Sequence, residues 1–288
     1  MTPPAPAIFE CVPNVSEGRD PAVLDACANA IESAGVRLAH RTHDVVHHRS
    51  VFTFFGERDT VLAASVALAR VTTANVDLRA HRGEHPRIGA LDVLPFVPFG
   101  SATLDDAAAL AREAGERLWR ECGVPSFFYG AAAASEARRL LADVRAGEFE
   151  GLANRRDAPD SGAGFHASAG AVAVGARAPL IAFNVVLAGG DLALARRIAR
   201  EMRERSGGLR TLRVLGIALD GGRVQLSCNV TDVAAVPLHR VVGLVRALAT
   251  RAGATVERTE LIGLVPRGAL AALAAHALGI EAPPDDVQ

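Results

Sequence analysis

Leu212-Arg213-Val214-Leu215-Gly216-Ile217-Ala218-Leu219-Asp220-Gly221-Gly222-Arg223-Val224-Gln225-Leu226-Ser227-Cys228-Asn229-Val230 reads as two strands folded back on each other. The runs Leu212 to Leu219 and Val224 to Val230 are apolar, and Asp220-Gly221-Gly222-Arg223 between them is a hairpin signal of the two-glycine kind. On one side of this hairpin, Leu180 to Leu187 is an apolar strand, and Asp191 caps a helix that continues through Ser206. On the other, Pro237 opens a helix to Arg251, and Val256 to Leu261 forms a strand. The order is β-α-β-β-α-β, the split β-α-β arrangement of ferredoxin-like folds. A last helix covers Gly268 to Leu278.

The beginning of the chain repeats that order. Ile8 to Val12 is a short strand, and Asp20 caps a helix with Pro21 at its first position. Val23, Leu24, Cys27, Ala30 and Ile31 give that helix an apolar face at the spacing of a 3.6-residue turn. Strands follow at Val36 to His43 and Ser50 to Phe55, then a helix from Thr60 to Ala74 and a strand at Val76 to Leu78. The middle adds a strand from Leu91 to Phe99, a helix from Asp105 to Cys122, a strand at Phe127 to Tyr129 and a helix from Ser135 to Ala146. From Glu150 to Ser168 the pattern stops, and Ala153 to Gly164 is polar and rich in Gly, Asp and Pro. A stretch of that length without structure is functional or disordered. The expected class is α/β (α+β), in two related subdomains at 1–179 and 180–288. Each is expected to be a mixed sheet with helices on its outer side, and a ligand is expected where the two halves meet.

Composition narrows the chemistry. The 288 residues are 50% hydrophobic, enough for a sizeable core, and the formal net charge of -1 does not favour nucleic acid or an anionic membrane. Every basic side chain other than histidine is arginine, which excludes a lysine Schiff base and a lysine-bearing phosphate loop. Cys11, Cys27, Cys122 and Cys228 form no C-x-x-C pair and suit free thiols in a reducing compartment. Met1 to Pro6 shows no basic region followed by an apolar run, and no apolar stretch approaches the ~20 residues that span a bilayer. The expected location is the cytoplasm.

The densest polar cluster is His81-Arg82-Gly83-Glu84-His85-Pro86-Arg87-Ile88-Gly89, set between apolar stretches. It holds acid, base and anion-recognising groups together, in a turn tightened by Pro86 and the glycines, and its histidines have the intrinsic pKa for proton transfer near neutrality. A solvated loop between strands is the alternative. A second cluster is His40, His43, Asp44, His47, His48 and Arg49. Histidine with carboxylate suggests zinc. If this segment leads into a strand, however, His47 and His48 point to opposite faces and cannot share an ion. No metal is therefore expected, and the cluster is read as a polar rim on the same cleft as His85. Asn184 and Asn229 are polar inside apolar strands, as strand-end hydrogen-bonding groups or as contacts to a polar ligand lying across the sheet.

Several ordered motifs resemble the glutamate formimidoyltransferase family over nearly the whole chain. They are Glu10 to Arg19 (Glu-Cys-Val-Pro-Asn-Val-Ser-Glu-Gly-Arg), Arg49 to Phe54, Gly83 to Val93, Arg145 to Glu150, Gly170 to Arg177, Leu180 to Asn184, and Gly263 to Pro266. Any one alone is weak; together and in order they are specific. The resemblance implies transfer of a formimino group from N-formimino-L-glutamate to N5 of tetrahydrofolate, the co-substrate, in one-carbon metabolism and histidine degradation. It also implies a homodimer, with folate in a cleft between two α/β subdomains. In that family the histidine of Glu-His-Pro-Arg is the catalytic acid/base, which falls on His85. The folate-contacting loop falls on Gly162, Ala163, Gly164, Phe165, His166, Ala167, Ser168, Ala169 and Gly170. Arg49 or Arg87 would clamp the glutamate carboxylates, and Glu84 or Asp44 would stabilise the cationic amidine.

Two departures stand out. Val46 and His48 occupy positions where the family usually shows aspartate and asparagine, and the folate loop is short and built of small residues. They leave open a related formyl or other one-carbon transfer on glutamate, or a non-catalytic folate- or amino-acid-binding paralogue.

Overall fold

Asp20 caps the first helix as its side chain requires: the carboxylate accepts from the Ala22 amide at 2.9 Å, with Pro21 in the first turn. The computed structural model describes residues 5–219, 221–232 and 235–280. They fall into two compact units, Met1–Ala178 and Pro179–Gln288. Asp220 of the hairpin and residues 1–4 at the amino terminus lie outside the described residues.

In the first unit, β1 (Ala7–Cys11) and β2 (Asn14–Val15) are two pieces of one strand, interrupted at Val12 and Pro13. They are followed by α1 (Pro21–Ser33), β3 (Arg37–Asp44), β4 (Arg49–Gly56), α2 (Arg58–Asn75) and β5 (Leu91–Gly100). Both pieces pair antiparallel with β4 on one side and β5 on the other, and β3 pairs with β4. With β1 and β2 counted as one, this is the split β-α-β-β-α-β plan. The strand that closes it is β5, not Val76 to Leu78. The latter segment is not a strand: Val76 and Leu78 are buried anchors of a long connection, and the Leu78 amide donates to the Ser168 carbonyl at 2.8 Å.

The sheet continues through α3 (Leu104–Cys122), β6 (Ser126–Gly130), the one-turn helices α4 (Leu141–Val144) and α5 (Glu148–Gly151), and β7 (Val172–Ala176). β7 lies parallel between β5 and β6, which makes the seven-stranded sheet mixed. The helix expected over Ser135 to Ala146 is instead a 3-10 turn at Glu136–Arg138 and the short α4, because Leu140 between them is extended. Leu24, Ile31, Leu68, Leu110 and Leu118 from α1, α2 and α3 pack on Phe9, Phe52, Phe54 and Phe96 of the sheet. Burying each such phenylalanine stabilises by about 1.5–3 kcal/mol. Val144, Leu141 and Phe149 cover Val93, Phe127, Tyr129 and Ala173 on the other face.

The second unit is β8 (Ile181–Ala188), α6 (Leu192–Met202), β9 (Leu212–Ala218), β10 (Arg223–Val230), α7 (Leu238–Arg251), β11 (Thr255–Ile262) and α8 (Arg267–Leu278). Its strand order is β11-β8-β10-β9 and every pairing is antiparallel, the ferredoxin-like arrangement. Asp191 caps α6 by accepting from Leu194 at 2.7 Å, as its position predicts, but the helix stops at Met202, before a 3-10 turn at Glu204–Ser206. Ile198, Met202, Val241 and Val245 bury one sheet face with Phe183, Val185, Leu226 and Cys228. All four cysteines are free. Among the described residues, no helix is long and apolar enough to cross a membrane.

Candidate active site

In a split β-α-β-β-α-β plan, the first strand-to-helix connection, the central hairpin turn and the second helix-to-strand connection emerge at one end of the sheet. In the first unit these are residues 16–20, 45–48 and 76–90. The polar clusters therefore meet in space although they are far apart in sequence.

The anchor is Asp92, fully buried on β5. Its Oδ2 accepts from Arg49 Nη1 at 2.7 Å and from Arg145 Nη2 at 2.5 Å, and its Oδ1 accepts from the Ile88 amide at 2.8 Å. Burial alone would push this carboxyl up, but the Arg145 and Arg49 guanidiniums and the Ile88 amide outweigh it and hold it at about 2. Arg49 also donates to Asn14 Oδ1 through Nε at 3.1 Å and Nη2 at 2.8 Å. Two guanidiniums share one carboxylate, and Arg145 Nε is buried without a partner.

His85 lies beside this network. Its Nδ1 contacts the Pro86 carbonyl at 2.9 Å. A carbonyl only accepts, so Nδ1 carries the hydrogen and Nε2 the lone pair. Burial first, then the charges of Arg49 and Arg145, push the imidazole well below its ordinary 6.5. The loop reaches this position because Gly83 lies against the His47 backbone: a Cβ at Gly83 would come within 2.3 Å of the His47 carbonyl oxygen.

His47 and His48 are in the turn between β3 and β4, not on a strand, so the alternation expected of them does not apply. Their rings diverge through different partners. Asp44 Oδ1 accepts from the His47 backbone amide at 2.7 Å and lies 3.0 Å from its ring Nδ1. This contact is the main cause that holds the Asp44 carboxyl at about 2. The buried His47 ring meets His85 edge to face, with centroids 6.2 Å apart. His48 takes the Arg82 carbonyl at Nδ1 and Glu17 Oε1 at Nε2, each at 3.1 Å, and stacks on His81 at 4.1 Å. His81 is buried, with Nε2 on the His48 carbonyl at 2.9 Å and Nδ1 facing Arg87 Nε at 3.3 Å. Burial pushes it below 6.5 as well.

Arg87 is held in a two-pronged contact with Glu150, at 2.9 and 2.7 Å, and a third with Glu148 at 3.1 Å. Glu84 is exposed on the His85 turn. Beside Gly83 a cavity of about 420 Å³ is lined by Arg82, Gly83, Arg87, Gly147, Glu148 and Glu150.

The segment Gly162 to Gly170 is joined to the same loop through its last residues. Ala90 donates to the Ala169 carbonyl at 2.9 Å and Ala171 to the Ile88 carbonyl at 3.0 Å. His166 Nδ1 accepts from the Ala169 amide at 3.0 Å, which closes a tight turn, while Gly162, Ala163, Gly164, Phe165 and Ala167 are exposed and Ser168 is half-buried.

Asn184 and Asn229 belong to the second unit. Asn184 sits opposite Ser227, and both asparagines lie on the sheet face turned away from the helices. Neither side chain makes a hydrogen bond among the described residues.

Five sequence motifs thus converge: Asn14 and Glu17, Arg49, His85 with Arg87 and Asp92, Arg145 with Glu148 and Glu150, and Gly170. Asp92, Arg145, Asn14 and Glu17 were not singled out from the sequence. The available signal was a carboxylate inside the otherwise apolar strand Leu91 to Phe99.

Known proteins resemble this chain along nearly its whole length. Residues 8–177 match the family described as Formiminotransferase domain, N-terminal subdomain, and residues 182–281 match Formiminotransferase domain. The chain is 38% identical over 281 residues to "Glutamate formimidoyltransferase" of Streptococcus pyogenes serotype M1, covering 95% of this chain and 94% of that protein. It is 37% identical over 280 residues to the protein of the same name from Thermoplasma acidophilum, covering 94% and 92%. It is also 37% identical over 276 residues to "Formimidoyltransferase-cyclodeaminase" of Gallus gallus, covering 91% of this chain and 51% of that longer protein.

Proposed function

This chain belongs to the formiminotransferase family, and on that premise we propose how its own residues carry the reaction. The reaction is transfer of the formimino group from N-formimino-L-glutamate to N5 of tetrahydrofolate. The formimino carbon is an amidine, cationic when protonated, so it needs neither an oxyanion hole nor a Lewis acid. The attacking N5 must lose a proton and the departing glutamate nitrogen must gain one.

His85 is the group proposed to accept the N5 proton. The observation that carries this reading is its fixed tautomer: Nδ1 is tied to the Pro86 carbonyl and Nε2 is left as the acceptor. Arg49 and Arg145 help to keep the ring neutral, ready to accept. N5 becomes acidic once it has bonded to the cationic carbon, so a weak base suffices. Two guanidiniums over one carboxylate leave a local positive excess, which suits the carboxylates of the glutamate portion. The exposed Glu84 is the carboxylate proposed for the amidinium, since Asp44 is engaged by His47. The loop Gly162 to Gly170, tied to residues 88–90, is proposed to line the folate. Asn184 and Asn229 are proposed as further polar contacts, and the enzyme as a cytoplasmic homodimer.

The test is steady-state turnover with formiminoglutamate and tetrahydrofolate. His85→Ala should lower turnover ~100- to 10,000-fold and leave folate affinity within a few-fold, because its role lies in the transition state. His81→Ala, which removes a buried structural ring, should lower the melting temperature and cost much less turnover. Near-parental turnover in His85→Ala, or a greater loss of turnover in His81→Ala, would overturn the assignment. Folate binding without turnover in the parent would select the non-catalytic reading. Turnover with a formyl but not a formimino donor would select formyl transfer.

A further inference from the structure

The four histidines around the site divide into two kinds. His81 and His48 spend both ring nitrogens on the protein. His85 and His47 do not: each has Nδ1 engaged, by the Pro86 carbonyl and the Asp44 carboxylate respectively, and neither Nε2 makes a hydrogen bond among the described residues. His85 is half-buried and His47 keeps 8% of its surface exposed, so neither ring is sealed in the core. The two rings stand edge to face, 6.2 Å between centroids and 62° between planes. A histidine needed only to shape the 45–48 turn would be satisfied as His48 is. His47 instead is buried, held from behind by a carboxylate and open at its far nitrogen.

We propose that His47 is a second catalytic imidazole, which delivers a proton to the departing glutamate nitrogen while His85 takes the proton that N5 releases. This rests on the reaction and on the His85 role proposed above. The N5 lone pair forms the bond to the formimino carbon, and the C=N electron pair moves onto nitrogen. The N5 proton passes to His85 Nε2. The proton on His47 Nε2 passes to the glutamate nitrogen, which departs with the electron pair of its C–N bond. The remaining nitrogen then re-forms C=N on the product. His85 is left protonated and His47 neutral, and exchange with solvent returns each ring to its starting state. The net change is one proton moved from N5 to the glutamate nitrogen. Asp44 is the positioning residue: it fixes the His47 tautomer and supplies the counter-charge an imidazolium needs.

The decisive variant is His47→Asn. The asparagine amide stands at the place of Nδ1 and keeps the Asp44 contact, but Nε2 is lost. The expected result is an unchanged melting temperature, folate affinity and KM within a few-fold, and kcat reduced ~100-fold. With a formimino donor whose departing amine is electron-poor, the deficit of His47→Asn should shrink while that of His85→Ala persists. In His47→Gly, added imidazole should restore part of the turnover. If His47→Asn melts like the parent and turns over within threefold of it, the inference is overturned. A deficit equal for both donors together with no rescue by imidazole also overturns it, since the loss is then structural. Both results leave the proposed function standing, whereas a parent protein with no turnover overturns the function and this inference with it.

Discussion

The two units share one plan, and they differ at the same end of it. In the second unit the connections are tight and glycine-bearing: Gly189 before α6, Gly221 and Gly222 between β9 and β10, and Gly253 before β11, all at positive φ. In the first unit the equivalent connections are 16–20, 45–48 and 76–90, and they carry Glu17, His47, His48, His81, His85 and Arg87. Where the second hairpin uses glycines at φ 71°, the first places His48 at φ 48°, a conformation uncommon for residues other than glycine. A non-glycine residue held in that region often marks a functional site. The scaffold is common to both units, and the proposed chemistry lies in what replaces the turns.

The largest expected effect tests whether a buried charge network, and not loop length alone, sets the first unit apart. Asp92→Asn would leave Arg49 and Arg145 in their buried positions without a counter-charge, at a cost of about 3–5 kcal/mol. In the second unit, Glu260→Gln breaks the exposed contact to Arg258, which solvent screens, and should cost far less. Urea melts of both variants measure the contrast. Equal losses would remove the network as the distinguishing feature.

The glycines give a matched pair of the next size. A Cβ at Gly89 would approach the Ala171 carbonyl oxygen to 2.1 Å, where the 76–90 connection is joined to the start of β7. Gly89→Ala should therefore cost about 3 kcal/mol and loosen the attachment of the 162–170 loop. Gly253→Ala meets nothing within 4 Å, so only its positive φ of 76° counts, at about 1–2 kcal/mol. If Gly253→Ala were the more harmful, the idea that close backbone approach sets the first unit's connections apart would fail.

Much of this was legible in the sequence because local chemistry decided it. Asp20 and Asp191 cap helices, two glycines turn a hairpin, and periodic apolar residues mark α1, α3 and α7. Elsewhere tertiary contacts override local signals. Val76 and Leu78 look like a strand because both are apolar, yet they anchor a loop, and burial gives the same signature in either case. β7 (Val172–Ala176) carries a weak strand signal, since alanine and glycine favour strands weakly. Its small residues are required by packing: a Cβ at Gly175 would approach the Tyr129 ring to 2.5 Å. For the site, His85 and Arg49 stood out as polar residues in clusters. Asp92 and Arg145 act through each other across the fold, and no spacing in the chain announces such a pair.

A smaller effect separates the units by pH. His85 and His81 are both pushed below their ordinary 6.5, chiefly by burial. As pH falls through 6.5, the unfolded chain takes up protons that the folded first unit refuses, so stability declines on the acid side and is regained as pH rises. A second decline begins below 3.8, because Asp92 and Asp44 are held at about 2 when folded. In the second unit His239 alone among the described histidines is lowered, by burial, stacked His276 and Arg240. Denaturant melts at pH 7.5 and 5.5 should show lower stability at 5.5, with a smaller drop in His85→Asn. An equal drop in that variant would move the effect away from the first unit.

The smallest expected effect concerns the turn itself. Asparagine adopts the left-handed region more readily than histidine, so His48→Asn relieves backbone strain. It also gives up the Glu17 contact and the stacking on His81. A largely buried hydrogen bond of this kind is worth about 0.5–1.5 kcal/mol, and the strain relief is of similar size, so the two should nearly cancel. The net change in stability should be a loss below about 1 kcal/mol, because the stack and the Glu17 contact both go while only one dihedral relaxes. Turnover should stay within a few-fold, since His48 has neither ring nitrogen open to a substrate. Melting curves and steady-state rates of His48→Asn and His81→Ala, measured beside the parent and the double variant, would isolate the coupling between the two rings. A turnover loss in His48→Asn as large as in His47→Asn would show that the 45–48 turn acts as one rigid piece, and that the division into two structural and two chemical histidines is wrong.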